Sequence, residues 1–130
     1  AGVDVVELGA GSAAVALDAV VASANDAPGM RFVEEPADAA GDDDGGSLVV
    51  AFVGAPSTVT DSAADGVVLV ERGAGDATVR FDADVAVVRS TNFALDVVEQ
   101  DAGDAYVVNL PRLAMADNGN TITFSGGFLE

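Results

Sequence analysis

Val79-Arg80-Phe81-Asp82-Ala83-Asp84-Val85-Ala86-Val87 is the stretch on which the fold class turns. Val79, Phe81, Ala83, Val85 and Val87 fall on one face, and Arg80, Asp82, Asp84 and Ala86 on the other. A period of two is the mark of a half-buried strand. Residues 92–99 repeat the pattern with Phe93, Leu95 and Val97, and it returns at Tyr106, Val108 and Leu110. Between them lies Gln100-Asp101-Ala102-Gly103-Asp104, where Gly103 is free to take positive φ. The spacing predicts a hairpin over 92–110. Pro111 lacks an amide donor and should end that ladder. Asp117-Asn118-Gly119-Asn120 then offers an Asn-Gly pair, a strong hairpin signal. Ile122, Phe124 and Phe128 face the core around Gly126-Gly127. Residues 78–129 therefore read as an antiparallel meander.

Outward from that segment the pattern thins. Residues 47–53 and 66–71 are short Val-rich runs of the kind found in strands buried on both faces. Residues 3–8 read as an opening strand. Residues 13–24 fit either of two elements: Ser12 can cap a helix with Ala13, Leu17, Val20, Val21 and Ala24 on one face, or the β-branched residues can alternate as a strand. Residues 34–46, with Glu34, Glu35, Asp38 and Asp42-Asp43-Asp44-Gly45-Gly46, read as a solvated acidic loop. No internal repeat is evident. The expectation is one all-β domain over 1–130, an antiparallel β-sandwich or partly closed barrel, with at most one short helix near the N-terminus.

Charge bounds the setting. Asp and Glu total 22, Lys and Arg together 5, and the formal net charge is -17. Every one of the 5 basic residues is Arg, and His and Cys are absent. The acid is spread along the chain rather than massed in one block, and half the residues are hydrophobic, so this is not a disordered acidic tail. At about 1 M ionic strength the Debye length is only ~3 Å, and neighbouring carboxylates barely repel. In dilute buffer the same charge works against the compact state. The composition points to a protein adapted to molar salt. GC-rich codon usage accounts for the missing Lys but not for the excess of acid over Arg. So acidic a surface argues against sequence-reading contact with nucleic acid. No apolar run reaches the ~20 residues needed to cross a bilayer, and no basic n-region with a hydrophobic core opens the sequence.

Candidate chemistry is sparse. Asp42, Asp43 and Asp44 could hold a hard cation, yet the spacing of an EF-hand loop and its bidentate Glu are missing. Asp101 and Asp104 around Gly103 could do the same, although turn chemistry explains them. Nothing singles out two of the 22 acids as a glycosidase pair. With neither His nor Lys, no base stands ready to activate a nucleophile. Gly9-Ala10-Gly11 is not continued as a dinucleotide fingerprint, and the Lys of a phosphate loop is absent. These readings imply no enzyme and no cofactor beyond bound cations such as Na, K, Mg or Ca. Arg72, Arg80 and Arg89 sit on or near strands, placed to pair with carboxylates of neighbouring strands or subunits.

Residues 90–113, Ser90-Thr91-Asn92-Phe93-Ala94-Leu95-Asp96-Val97-Val98-Glu99-Gln100-Asp101-Ala102-Gly103-Asp104-Ala105-Tyr106-Val107-Val108-Asn109-Leu110-Pro111-Arg112-Leu113, resemble the closing region of tail tube proteins of tailed viruses. The shared pattern is a strand, an Asp/Gly turn, a Tyr-containing strand and a Leu-Pro-Arg step, followed by a polar turn and the strand of residues 121–128. The resemblance covers about a third of the chain. It implies a β-sandwich forming hexameric rings that stack into a tube, with DNA passing through the lumen and no catalysis. The expected setting is a virion of a virus infecting a halophile, with copies of the chain and other virion proteins as partners and no membrane. Two alternatives stand beside it: a head decoration or small capsid protein, and a secreted or cell-surface calcium-binding β module of a halophile.

Overall fold

The structure is a computed structural model that describes residues 2–8, 11–35, 46–101, 103–125 and 127–129; the side chains of residues 101, 125 and 127–129 lie outside that description. Its strands follow one another as the flats of a wound coil. The first turn comprises β1 (Val3–Leu8), β2 (Ala13–Asp18) and β3 (Val21–Asn25). The second comprises β4 (Met30–Glu35), β5 (Leu48–Val53) and β6 (Ser57–Ser62). The third comprises β7 (Val67–Gly73), β8 (Ala77–Phe81) and β9 (Val85–Val88). The fourth comprises β10 (Phe93–Asp101), β11 (Asp104–Val108) and β12 (Leu113–Ala116), and β13 (Asn120–Ser125) and β14 (Gly127–Leu129) begin a fifth. Like flats stack into three sheets, ordered β1-β4-β7-β10-β13, β14-β11-β8-β5-β2 and β12-β9-β6-β3. Every strand pairing in them is parallel. The architecture is a parallel β-helix.

This overturns the antiparallel expectation, sandwich and barrel alike. A strand paired with its sequence neighbour and a strand paired with one a full turn away show the same period of two. Alternation therefore fixes the facing of side chains, not the partner. The segment 79–87 is two strands joined at a corner: Ala83 is 2 % exposed, so the corner keeps a side chain inside and the alternation runs on unbroken. Residues 92–110 are likewise two flats of one turn, not a hairpin, and 78–129 is no meander. Gly103 and Gly119 do not use positive φ. They are needed for closeness: a Cβ on Gly103 would lie 1.6 Å from the Gly75 carbonyl oxygen, and one on Gly119 2.0 Å from that of Thr91. Residues 13–24 are strands β2 and β3, bent at Ala19 (φ 54), and not a helix. Helix among the described residues is limited to one 3-10 turn, Leu110–Arg112, where Pro111 needs no amide partner.

Contrary to the expectation of no internal repeat, a repeat of about one coil turn organises the chain. Val3, Met30, Val67, Leu95 and Ile122 stand in one column, giving turns of 27 or 28 residues and one of 37. The long turn contains residues 36–45, most of the expected acidic loop, which lie outside the described residues. The interior is made of such columns. Val5, Phe32, Leu69, Val97 and Phe124 form another on the first sheet. On the second sheet Leu17, Phe52 and Phe81 stack, with the two rings 5.6 Å apart and 6° from parallel. The third contributes Ala22, Val59, Val87 and Met115. Met115 is 36 % exposed although it belongs to an interior column, because it sits on the last turn of that sheet.

Candidate functional site: a buried glutamate column

At the end of the first sheet, where the chain rounds the corner to the second, the interior turns polar. Glu7, Glu34, Glu71 and Glu99 are in register on β1, β4, β7 and β10. Neighbouring strands are about 4.8 Å apart, so the carboxyls form a line of rungs. Glu34 and Glu71 are fully buried and Glu99 nearly so. Burying a carboxylate is costly unless donors meet it. Gly46 N–H donates to Glu34 Oε1 at 3.1 Å, and Gly103 N–H to Glu99 Oε1 at 3.0 Å. The donors belong to a second column, Gly11, Gly46, Gly75 and Gly103, packed so tightly that each glycine after the first lies against the carbonyl of the one before.

Glu71 departs from that arrangement. Neither of its carboxyl oxygens meets a donor, and Glu34 Oε2 also has none. Its carboxyl lies against those of Glu34 and Glu99, and its pKa is pushed up to about 9, first by burial and then by Glu34 and Glu99. A group so shifted remains a neutral acid at pH 7. It can donate one hydrogen, and a carboxylate beside it can accept.

The expected cation residues fare differently. Asp42, Asp43 and Asp44 lie outside the described residues. Asp101 ends β10, but its side chain is outside the description as well. Asp104 is held through its backbone, its N–H donating to Asp76 Oδ1 at 2.9 Å. Burial, with Asp76 and Asp104 adding to it, raises the pKa of the nearby Tyr106 phenol. Among the described residues no three acidic, His or Cys side chains are grouped so as to hold a metal ion. A groove of about 340 Å³ runs beside Pro56, Thr58, Asp84, Pro111 and Arg112, where Arg112 Nε already donates to Asp84 Oδ1 at 3.0 Å.

The arginines act between turns. Arg31 pairs with Asp4 at 3.0 Å, Arg72 with Glu35, Arg89 with Asp61 and Arg112 with Asp84, each reaching the preceding turn; Arg80 reaches Asp82 at 3.5 Å within its own. Pairing across neighbouring strands, expected for Arg72, Arg80 and Arg89, thus holds for the first and third.

The glutamate column was legible in one respect. Glu7-Leu8-Gly9-Ala10-Gly11, Glu71-Arg72-Gly73-Ala74-Gly75 and Glu99-Gln100-Asp101-Ala102-Gly103 share Glu-x-x-Ala-Gly, and the latter two are one turn apart. Aligning the chain with itself at that period brings the acids together. Comparison of the whole chain with protein families, with curated proteins and with solved structures finds no match.

Proposed function

We propose that this chain is a non-catalytic structural module, a length of rigid β-helix used in an exposed assembly that works in molar salt, as a component of a virus particle infecting a halophile. The observation that carries the reading is the ladder itself. Hydrogen bonding from turn to turn runs unbroken through three sheets, and leaves the outer edges of β1, β2 and β3 at one end, and of β12, β13 and β14 at the other, without a strand partner among the described residues. Such edges are templates for more strands. Interior columns are open there too, with Val3, Val5 and Val15 half-buried at one end and Ile122 and Phe124 at the other. A further turn, from a second copy or a like module, would continue both pairing and core. The spread of acid, with a net charge of -17, supports the saline setting.

This reading favours a rod over a ringed tail tube. The residues that carry the tail-tube resemblance, 90–113, are occupied by β10, β11 and β12, three successive flats of one turn rather than a hairpin in a sandwich. Among the described residues no helix is long and apolar enough to cross a membrane.

Electron microscopy of the purified chain in about 3 M KCl, where surface charge is screened, tests the proposal. Rods that lengthen with protein concentration are the expected result. Rings with a central channel would restore the tube, and particles that stay monomeric at every concentration would remove the assembly role. Thermal melting should rise by tens of degrees between about 0.1 M and 3 M KCl as screening relieves self-repulsion. A melting temperature indifferent to salt would sink the halophilic part.

A further inference from the structure

We propose that Glu71 is carried in the folded chain as a neutral carboxylic acid whose hydrogen is donated to Glu34, so that a single bound proton is a structural ligand of the coil. Three observations support this, and none depends on the assembly proposed above. Glu71 is fully buried, and both of its oxygens lack a donor. Glu34, on the next rung, is equally buried and has one oxygen satisfied by Gly46 and the other, Oε2, open. The surroundings offer no cation. On the facing strands β5 and β8 the buried residues are Leu48, Val50, Phe52, Ala77, Val79 and Phe81. Arg72, the next residue, pairs with Glu35 in an exposed contact.

Among the described residues the titratable groups bearing on Glu71 are therefore Glu34 on β4 and Glu99 on β10, with Glu7 on β1 one rung beyond Glu34 and Asp76 past the corner, where it accepts from Asp104 N–H. All are acids. A hydrogen placed on Glu71 joins two of the three open oxygens of Glu71 and Glu34: its O–H donates to Glu34 Oε2 while Glu34 Oε1 keeps Gly46 N–H, and one negative charge is removed from the column. A metal ion would need oxygens arranged around a point, whereas these follow one another along a line, and no metal-holding group of three is found among the described residues.

The sign of the pH dependence follows. In the unfolded chain the Glu71 carboxyl titrates near its ordinary 4.5, and in the folded chain at about 9. Between those values the folded state binds a proton that the unfolded state has lost, so stability falls as pH rises through that window and levels off above it. One proton's linkage is about tenfold in the folding equilibrium per pH unit. Glu71→Gln retains a donor toward Glu34 and cannot ionise.

The test is infrared spectroscopy of the carboxyl region together with thermal melting, both at fixed salt of about 3 M KCl so that surface repulsion stays screened. The expected result is a neutral-carboxyl band at pH 7 that disappears near pH 9, and a melting temperature that declines from pH 6 to pH 9. Glu71→Gln should lack the band and lose most of that decline. Should the variant not fold, the band in the wild-type chain and its titration still decide. No neutral-carboxyl band at pH 7 overturns the proposal. So does a band that calcium or magnesium chloride abolishes at constant pH and ionic strength with a rise in melting temperature, since the column's ligand would then be a divalent cation.

Discussion

Arg89 grips Asp61 with two hydrogen bonds, Nε to Oδ1 at 2.6 Å and Nη2 to Oδ2 at 3.0 Å, and the two residues share the same unusual backbone, with φ of 59 and 57. They occupy one corner position in successive turns. Ala24 (φ 55) and Asp117 (φ 57) hold it in the turns on either side. A left-handed residue at the end of each third-sheet strand swings the chain toward the first sheet. In the middle of the stack the side chains at that position are tied across turns.

The bonds from Arg89, foremost, hold the Asp61 carboxyl below the ordinary 3.8. Its contribution to stability is therefore present above the ordinary carboxylate range and fades as pH falls through the lowered value. Site-resolved carboxyl titration by NMR should find Asp61 below that value in the wild-type chain and back near it in Arg89→Gln. An Asp61 that titrates alike in both would mean that the pair is not formed in solution.

Left-handed backbone costs an L-residue with a Cβ roughly 1–2 kcal/mol, while glycine brings extra freedom to the unfolded chain worth about 0.4–1 kcal/mol. Ala24 is exposed and bears no ion pair, so Ala24→Gly should stabilise by about 0.5 kcal/mol. Ala22→Gly, two residues away in β3 and buried, should destabilise by at least as much. Denaturant midpoints of the two variants should move in opposite directions.

Two glycines of the corner column separate close packing from conformational freedom. A Cβ on Gly103 would meet the Gly75 carbonyl oxygen at 1.6 Å, a backbone atom rather than the end of a side chain. On Gly11, in the first turn, the nearest atom is the Glu7 carboxylate oxygen at 3.1 Å, the end of a flexible side chain. Gly103→Ala should cost about 3 kcal/mol, the upper end for overpacking, and Gly11→Ala under about 1 kcal/mol. Equal losses in chemical denaturation would refute the column.

Phe52 and Phe81 stack inside the coil with no exposure at all. Phe52→Ala should therefore cost ~3–5 kcal/mol. Val21 is 72 % exposed on the first turn, and Val21→Ala should change stability by no more than about 0.5 kcal/mol. A small loss at Phe52 would place the ring outside the core.

Which side chains face inward was readable only in part: Tyr106 and Val108 alternate as expected, but the buried side chains of β11 are Ala105 and Val107. Val79, Phe81, Ala83, Val85 and Val87, assigned to one face from alternation alone, are all buried. The strand of residues 3–8 stands at its expected bounds. Partner and direction were not readable, because a two-residue period says nothing of where the next strand comes from. Those follow from the repeat, which was obscured where it should have been clearest: the ten residues 36–45 throw the second turn out of phase with the rest. The glutamates misled for a related reason. Glu34 read as the start of a solvated loop, and Glu71 and Glu99 as strand termini; only lateral stacking shows that the three acids share one interior column. In a chain with 22 acidic residues, no local signal separates a buried carboxyl from a hydrated one.

The second turn also bears on how such a chain changes over generations. It carries some ten residues more than the others, yet Glu34 and Glu35 before the added stretch and Gly46 after it keep their places: Glu34 stays in register with Glu71, Arg72 still reaches Glu35, and Gly46 still donates to Glu34. The ladder closes over the corner as though nothing had been inserted. That corner is where new sequence can be written into the molecule without rewriting its fold, and where a grafted epitope or binding peptide would find a scaffold already tolerant of it.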